Sequence, residues 1–189
     1  PPVFAFVRPP AWADADEETR LSLEELAGVL GEQHFEAPLP AAFAEAASAR
    51  ERINFAEMAK CYFAYERRGR DRLSEPLRAA IDTGKTILAR DYLSALDWPE
   101  VLNAGLEAIF ARCDAILAPA ALGPAPQGLD ATGSPIFNGL WSLCGLPAVT
   151  IPVLESANGL PMGVQLVARR GDDGRLLRTA RWLMERIGE

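Results

Sequence analysis

The sequence has very few of the residues that most metal and nucleophile sites require. It contains one histidine, His34, and two lysines, Lys60 and Lys85, among 189 residues. A zinc or iron site built on histidines is therefore not expected, and a lysine base has only two candidates. The three cysteines are odd in number and form no C-x-x-C pair. This argues against a disulfide framework and favours a reducing, cytoplasmic location.

Long apolar runs and an excess of positive charge are also absent. No run approaches the roughly 20 apolar residues that span a bilayer, and the start, PPVFAFVRPP, lacks the sections of a secretion signal. The 19 basic residues are outnumbered by 26 acidic ones, which leaves a net charge of −7. We therefore expect this chain to bind neither nucleic acid nor a membrane surface. Its length favours one domain, or at most two.

The first forty residues alternate between strand and helix patterns. Residues 3–7 form a short apolar run that predicts a buried strand, and leucines recur at helical spacing over residues 21–30. A second strand is predicted at residues 34–39. This order indicates an α/β layered domain. Residues 41–112 are predicted to be mostly helical, with a charge-dense break over 66–72 and an apolar stripe of Phe43, Ala47, Ile53, Phe55, Met58 and Tyr62.

The pattern changes after Cys113. A strand predicted over residues 114–118 is followed by a loop, Pro119 to Ser134, that is crowded with proline and glycine. Ser134 is the predicted N-cap of a helix over 136–144 that Gly145 ends. Two β-rich runs, near 147–153 and 162–167, are joined through Asn158-Gly159, which predicts an antiparallel hairpin. A closing amphipathic helix follows, so the predicted fold is α/β, with a mixed β-sheet flanked by helices over residues 1–189.

Several short motifs imitate functional sites without meeting their requirements. Gly84-Lys85-Thr86 ends like a phosphate-binding loop, but Ala79 stands where that loop needs a glycine and the segment is helical in pattern. Asp82-Thr83-Gly84 occurs once, so it cannot form the paired carboxylates of an aspartic protease. A Ser/His/Asp triad lacks a suitable serine turn beside His34.

The cysteines and the arginine cluster also favour structural roles. Without a partner imidazole, Cys113 and Cys144 are expected to be buried, inert thiols. The run of arginines after position 66 is most often a solvated face, and the alternative is a site for an anionic substrate. These arginines are Arg67, Arg68, Arg70 and Arg72.

One compound pattern remains at the C-terminal end. It runs DAILAP over 114–119, GLPAVTIP over 145–152, and NGLPMGVQLV over 158–167, followed by Leu176-Leu177 and Ala180. In this order the segments closely resemble the C-terminal portion of the amidase signature family. The opening FAFVRPPAW strand and its acidic helix are similar to the family's segment after its catalytic core. The resemblance covers nearly all 189 residues, and residues 113–189 are its most specific part.

The resemblance implies both a reaction and a missing part. Members of the family hydrolyse amides with a serine nucleophile, a second serine in a cis peptide and a lysine, in a Gly/Ser-rich stretch and without a cofactor. No such stretch occurs here, and neither Lys60 nor Lys85 stands in a matching context. The chain therefore resembles the C-terminal part of such an enzyme, with no catalytic residue of its own. The implied partners are a small-molecule amide substrate and the missing N-terminal half, and a homodimer is compatible with the resemblance.

The resemblance also implies that the loop from Pro119 to Ser134 and the helix after it border the substrate pocket. Asp130 or Thr132 would hold a polar substrate end, with Ser134 beside them, while Phe137 and Trp141 would wall an apolar one. The alternative for Phe137 and Trp141, one helical turn apart, is core packing, and for Asp130 and Ser134 it is capping. If Phe137 and Trp141 are both enclosed by this chain, their assignment to a concave surface fails.

A second interpretation comes from another class of protein. The predicted elements from Val3 to Ile187 form enough layers to pack alone, as in a freestanding α/β binding or interaction domain without catalytic activity. A Gly/Ser-rich stretch upstream of Pro1 would favour the amidase interpretation instead.

Overall fold

The computed structural model describes residues 1–129 and 131–187. Within these residues the strands form one mixed sheet in the order β2-β1-β3-β5-β4. β1 pairs in parallel with β2 and β3, whereas β5 runs antiparallel to β3 and β4. The predicted strands and the antiparallel hairpin are confirmed. The strands are β1 (Phe4–Phe6), β2 (His34–Glu36), β3 (Ala115–Pro119), β4 (Ala148–Glu155) and β5 (Pro161–Val167).

Helices cover both faces of this sheet. Their bounds agree closely with the sequence pattern in the last third of the chain, where Gly145 ends the helix before β4 in the left-handed conformation at φ 63°. The helices are α1 (Glu17–Val29), α2 (Ala46–Cys61), α3 (Phe63–Gly69), α4 (Glu75–Thr86), α5 (Ala89–Leu96), α6 (Trp98–Phe110), α7 (Ile136–Cys144) and α8 (Asp173–Ile187). None of the described helices is long and apolar enough to cross a membrane.

Alternation along the central strands divides the core in two. Phe4, Phe6 and Leu117 point to one face, where they pack with residues of α1 and α8. Ala5 and Ile116 point to the other face, where they pack with residues of α6 and α7. Both faces of β1 and β3 are therefore buried, which explains why these short strands are continuously apolar.

Three expectations about local structure are wrong. The charge-dense segment over 66–72 is not a break, because α3 runs to Gly69 and a 3-10 turn follows it. The apolar stripe of α2 is only partly buried, and Tyr62 is exposed. Ser134 does not cap α7, since Pro135 occupies the N-cap position without a side-chain hydrogen bond and the helix begins at Ile136.

The sequence around Gly84 is a helix end, as its pattern indicates. Gly84 is buried in the last turn of α4, against α2, and a Cβ at this position would lie 1.9 Å from the carbonyl oxygen of Phe55. Glycine is therefore required by the close approach of two helices and has no connection with a phosphate.

Candidate functional site

The loop between β3 and α7 carries most of the residues that the sequence assigns to a substrate pocket. Thr132 and Ser134 are exposed in this loop and make no side-chain hydrogen bond with the described residues. Asp130 lies outside the described residues. A role of these three residues in binding substrate stays a prediction.

Phe137 and Trp141 do not lie at an open surface. Both side chains are fully buried, with 0% exposure, by residues of this same chain. Trp141 belongs to the core between α7 and the sheet, and its indole Nε1 has no hydrogen-bond partner among the described residues. The expectation that both rings wall a concave surface is therefore wrong. Aromatic spacing along a helix is the same for a pocket wall and for a core face.

The exposed face of α7 instead carries Asn138 and Ser142, one turn apart. Gln165 of β5 reaches this face from below. Its Nε2 donates a hydrogen bond of 2.6 Å to Oδ1 of Asn138. The Gln165 side chain is buried, and its Oε1 has no partner among the described residues. A buried carbonyl oxygen without a donor is costly, so this atom marks a place where a further group is expected.

Small residues open the surface around Gln165. Thr150 lies opposite it on β4 and is exposed. At Gly163, a Cβ would lie 2.4 Å from Cγ2 of Thr150 and 3.3 Å from Cβ of Ala120, so the sheet surface is kept low here. We call Asn138, Thr150 and Gln165 the amide patch. Sequence analysis missed it, although a single glutamine in the apolar run GVQLV was a usable signal.

The patch contains polar groups but no nucleophile with a base. Lys85 lies on α4, where its Nζ donates to Oε1 of Glu66 at 2.6 Å. Lys60 is exposed on α2. In the described part of the chain, neither lysine hydrogen-bonds a serine. No group of three or more potential metal ligands occurs among the described residues either.

The two thiols near the sheet are inert, as expected from the sequence. Burial raises the pKa of Cys144 to about 12 and that of Cys113 to about 11. Both therefore stay protonated at neutral pH and are poor nucleophiles. The arginine cluster is likewise a solvated, paired face. Arg70 pairs with Glu66 and Asp82, and Arg67 stacks on Phe63.

Comparison with known proteins decides the family. The sequence profile of the Amidase family matches residues 5–177, which include every strand and part of α8. The chain belongs to the amidase family. As an amidase-family chain, it has the mixed sheet flanked by helices that the resemblance implied.

Relatives of this amidase-family chain include one of the subunits of glutamyl-tRNA(Gln) amidotransferase, the one designated by the letter A. The protein from Neisseria meningitidis serogroup A is 39% identical over 95 residues, which are 47% of this chain and 20% of the relative. The protein from Anaeromyxobacter sp. (strain K) is 34% identical over 105 residues, 51% of this chain and 21% of the relative. The chain thus matches about one fifth of the length of these curated relatives.

Solved structures show the same fold. A crystal structure of an amidase superposes with a TM-score of 0.86 at 23% identity, covering 98% of this chain and 45% of that one. A 6-aminohexanoate cyclic dimer hydrolase bound to its substrate superposes with a TM-score of 0.73 at 19% identity, covering 100% of this chain and 45% of that one. This amidase-family chain therefore spans less than half of each of these structures.

Proposed function

We propose that the protein is an amide hydrolase that cleaves a carboxylic C–N bond through a serine nucleophile located outside these 189 residues. The observation that carries the proposal is the match of the Amidase profile over residues 5–177. The described residues contain no serine–lysine unit that would do this chemistry alone. On this proposal, residues 1–189 form part of a larger amidase domain, and the remainder of that domain is their partner.

The chain would contribute one wall of the substrate site. Amide hydrolysis needs an activated nucleophile, a proton for the departing amine, and donors aimed at the developing oxyanion. Side chains of the amide patch cannot activate a nucleophile, but they can hold and orient an amide or a backbone segment. The unpaired Oε1 of Gln165 would accept a hydrogen bond from an N–H or O–H group that the described residues do not supply. Thr132 and Ser134 stand in the loop beside α7 and remain candidates for binding a polar end of the substrate.

The first test compares this chain with a longer protein that includes the preceding sequence. Both are assayed at equal molarity on a panel of simple amides and treated with a serine-directed phosphonate. We expect turnover and labelling of the longer protein only, because a nucleophile and its proton relay act as a unit. Robust turnover by the 189-residue chain that Ser134→Ala abolishes would contradict the proposal.

The second test places the amide patch in the reaction. In the longer protein, Gln165→Met should lower kcat/KM by roughly tenfold, because one hydrogen bond contributes on the order of 1 kcal/mol or more. Gln33→Met is the matched control, since Gln33 lies in a 3-10 turn before β2 and makes no side-chain hydrogen bond with the described residues. Equal activity of the two variants would remove Gln165 from the site and leave the hydrolase proposal to the first test.

A freestanding binding domain is the competing function. Its support is that helices of this chain cover both faces of the sheet. It predicts that the longer protein does not react with the phosphonate. All three cysteines are free, and Cys61 is exposed. A free exposed thiol is better tolerated in a reducing compartment, and we propose the cytoplasm as the location on that ground.

A further inference from the structure

A half-open cavity of about 230 Å³ lies on a different side of α7 from the amide patch. It is formed by the segment after β1, the 3-10 turn over Ala41–Glu45 with the first turns of α2, and one side of α7. Ile136 and Leu140 of α7 face it one turn apart, whereas Asn138 and Ser142 face the opposite side of the same helix. Most of the remaining lining consists of proline, alanine and phenylalanine side chains, namely Pro9, Pro10, Ala11, Phe43, Ala44, Ala46, Ala47 and Phe137.

One cation lines this apolar cavity. Arg50 extends from α2 to the backbone of α7 at Gly139, where a Cβ would lie 2.5 Å from Nη1 of the arginine. The absence of a side chain at Gly139 therefore lets the guanidinium lie flat against the helix. Arg50 is half-buried and makes no ion pair or hydrogen bond with the described residues. This contrasts with Arg8, Arg70 and Arg175, which all pair with carboxylates.

An unpaired guanidinium beside apolar walls has a specific chemical complement. A planar carboxylate matches the fork of an arginine with two parallel hydrogen bonds. The size of the cavity is sufficient for a ring, because an apolar cavity of about 150 Å³ accommodates benzene. The other charged residue of the lining, Asp14, is exposed at the rim and disfavours a second negative charge on the ligand.

We propose that this cavity is a binding site for a small monocarboxylate with an aromatic or branched apolar body. Arg50 binds the carboxylate, and Phe43, Phe137 and Leu140 contact the apolar body. The site lies wholly within the described residues and on another side of α7 from the amide patch. It therefore does not depend on the proposed hydrolysis.

The test titrates the protein with benzoate and with benzamide, which has the same shape and no charge. NMR shifts of the amides of Phe137, Gly139 and Leu140 report binding at this cavity. We expect benzoate to bind at least tenfold more tightly than benzamide, because a charge-assisted bidentate pair is lost in the amide. Arg50→Met should weaken benzoate at least tenfold and change benzamide by less than about twofold.

Arg52→Met is the matched control, because Arg52 is two residues further along α2, exposed, and absent from the cavity lining. It should leave both affinities unchanged. Equal affinity for benzoate and benzamide, an equal effect of the two arginine variants, or no benzoate shift at these amides would overturn the proposal.

Two further variants keep the test decisive if Arg50→Met fails to fold. Ala47→Leu adds volume at the rim of the cavity and should block both ligands while leaving Arg50 in place. Gly139→Ala displaces the guanidinium and keeps its charge, so it should weaken benzoate more than benzamide. Unchanged benzoate affinity in both of these variants would also overturn the proposal.

Discussion

At the scale of single residues, the contact between α2 and α4 depends on the absence of one side chain. A Cβ at Gly84 would lie 1.9 Å from the carbonyl oxygen of Phe55 and 2.7 Å from its carbonyl carbon. Both atoms belong to the backbone, so they cannot move aside as a flexible side chain would. Gly84→Ala should therefore separate the two helices and lower the free energy of unfolding by about 3 kcal/mol, measured by urea denaturation.

Gly28→Ala is the matched control for that measurement. Gly28 is exposed in α1, and nothing lies within 4 Å of a Cβ built on it. Alanine is the better helix former, so this variant should be more stable by roughly 0.5–1 kcal/mol. If Gly84→Ala were also stabilising, the close crossing of α2 and α4 would be wrong.

The buried thiol of Cys144 makes a second prediction at this scale. Burial raises the pKa of Cys144 to about 12 and that of Cys113 to about 11, whereas thiols of the unfolded chain titrate at about 8.5. In the window between these values the unfolded state binds fewer protons than the folded state. The contribution to stability is therefore complete below the unfolded pKa and is lost as pH rises through the folded pKa.

Cys144→Ala should flatten this alkaline decline in the free energy of unfolding. It should also lower stability at neutral pH by about 1–2 kcal/mol, because it leaves a small cavity in a fully buried position. Cys61→Ala serves as the control, since Cys61 is exposed and should leave the alkaline slope unchanged. An unaltered slope in Cys144→Ala would show that this thiol does not stay protonated in the folded protein.

At the scale of elements, charged side chains join α3 to α4. Glu66 of α3 accepts hydrogen bonds from Lys85 and from Arg70, and Arg70 also donates to Asp82 of α4. The hydrogen bond from Lys85 is the main cause that lowers the pKa of Glu66, and that from Arg70 does the same for Asp82. Their contribution is present above the ordinary carboxyl pKa and is lost as pH falls through the lowered values.

Glu66→Gln should therefore increase the hydrogen exchange of α3 amides several-fold near neutral pH. The effect should shrink at high salt and below the pKa of Glu66, because the pairs are largely exposed and are screened by ions. Glu51→Gln changes an exposed carboxylate of α2 that has no partner among the described residues, and it should leave α3 unaffected. Equal exchange in both variants would exclude the network as the tie between these helices.

At the scale of the whole molecule, the sheet ends on a strand that is not covered. β4 pairs only with β5 in the described part of the chain, so its other edge is free there. An open edge invites pairing with another chain. Two features oppose this, namely Pro152, which lacks an N–H, and a register break between Ile151 and Leu154.

Pro152→Thr restores a donor and a β-branched side chain, and it should increase self-association. Sedimentation velocity over a range of protein concentrations measures this, and we expect larger species at lower concentration than for the unchanged protein. Pro124→Thr, in the loop after β3, is the control and should behave like the unchanged protein. If Pro152→Thr showed no added association, the edge of β4 would already be protected by another part of the protein.

Agreement between sequence and structure is best where local chemistry decides the outcome. Asn158-Gly159 predicted the hairpin, and Gly159 has the positive φ of 79° that such a turn needs. Agreement is poorer where distant contacts decide it. The charged segment ending at Arg72 forms a helix because Glu66 and Arg70 meet groups of α4, which no local rule predicts. The amide patch joins residues 27 positions apart in the chain.

The sequence by itself determined the α/β class, the family and the absence of a histidine- or lysine-based catalytic unit. These follow from composition, periodicity and short turn motifs, which act within a few residues of chain. Only the tertiary structure decided that Phe137 and Trp141 are core residues and that Gln165 and Arg50 line two different surfaces beside α7. The physical reason is that a helix has the same apolar spacing whether a core or a cavity faces it, and only packing selects between them.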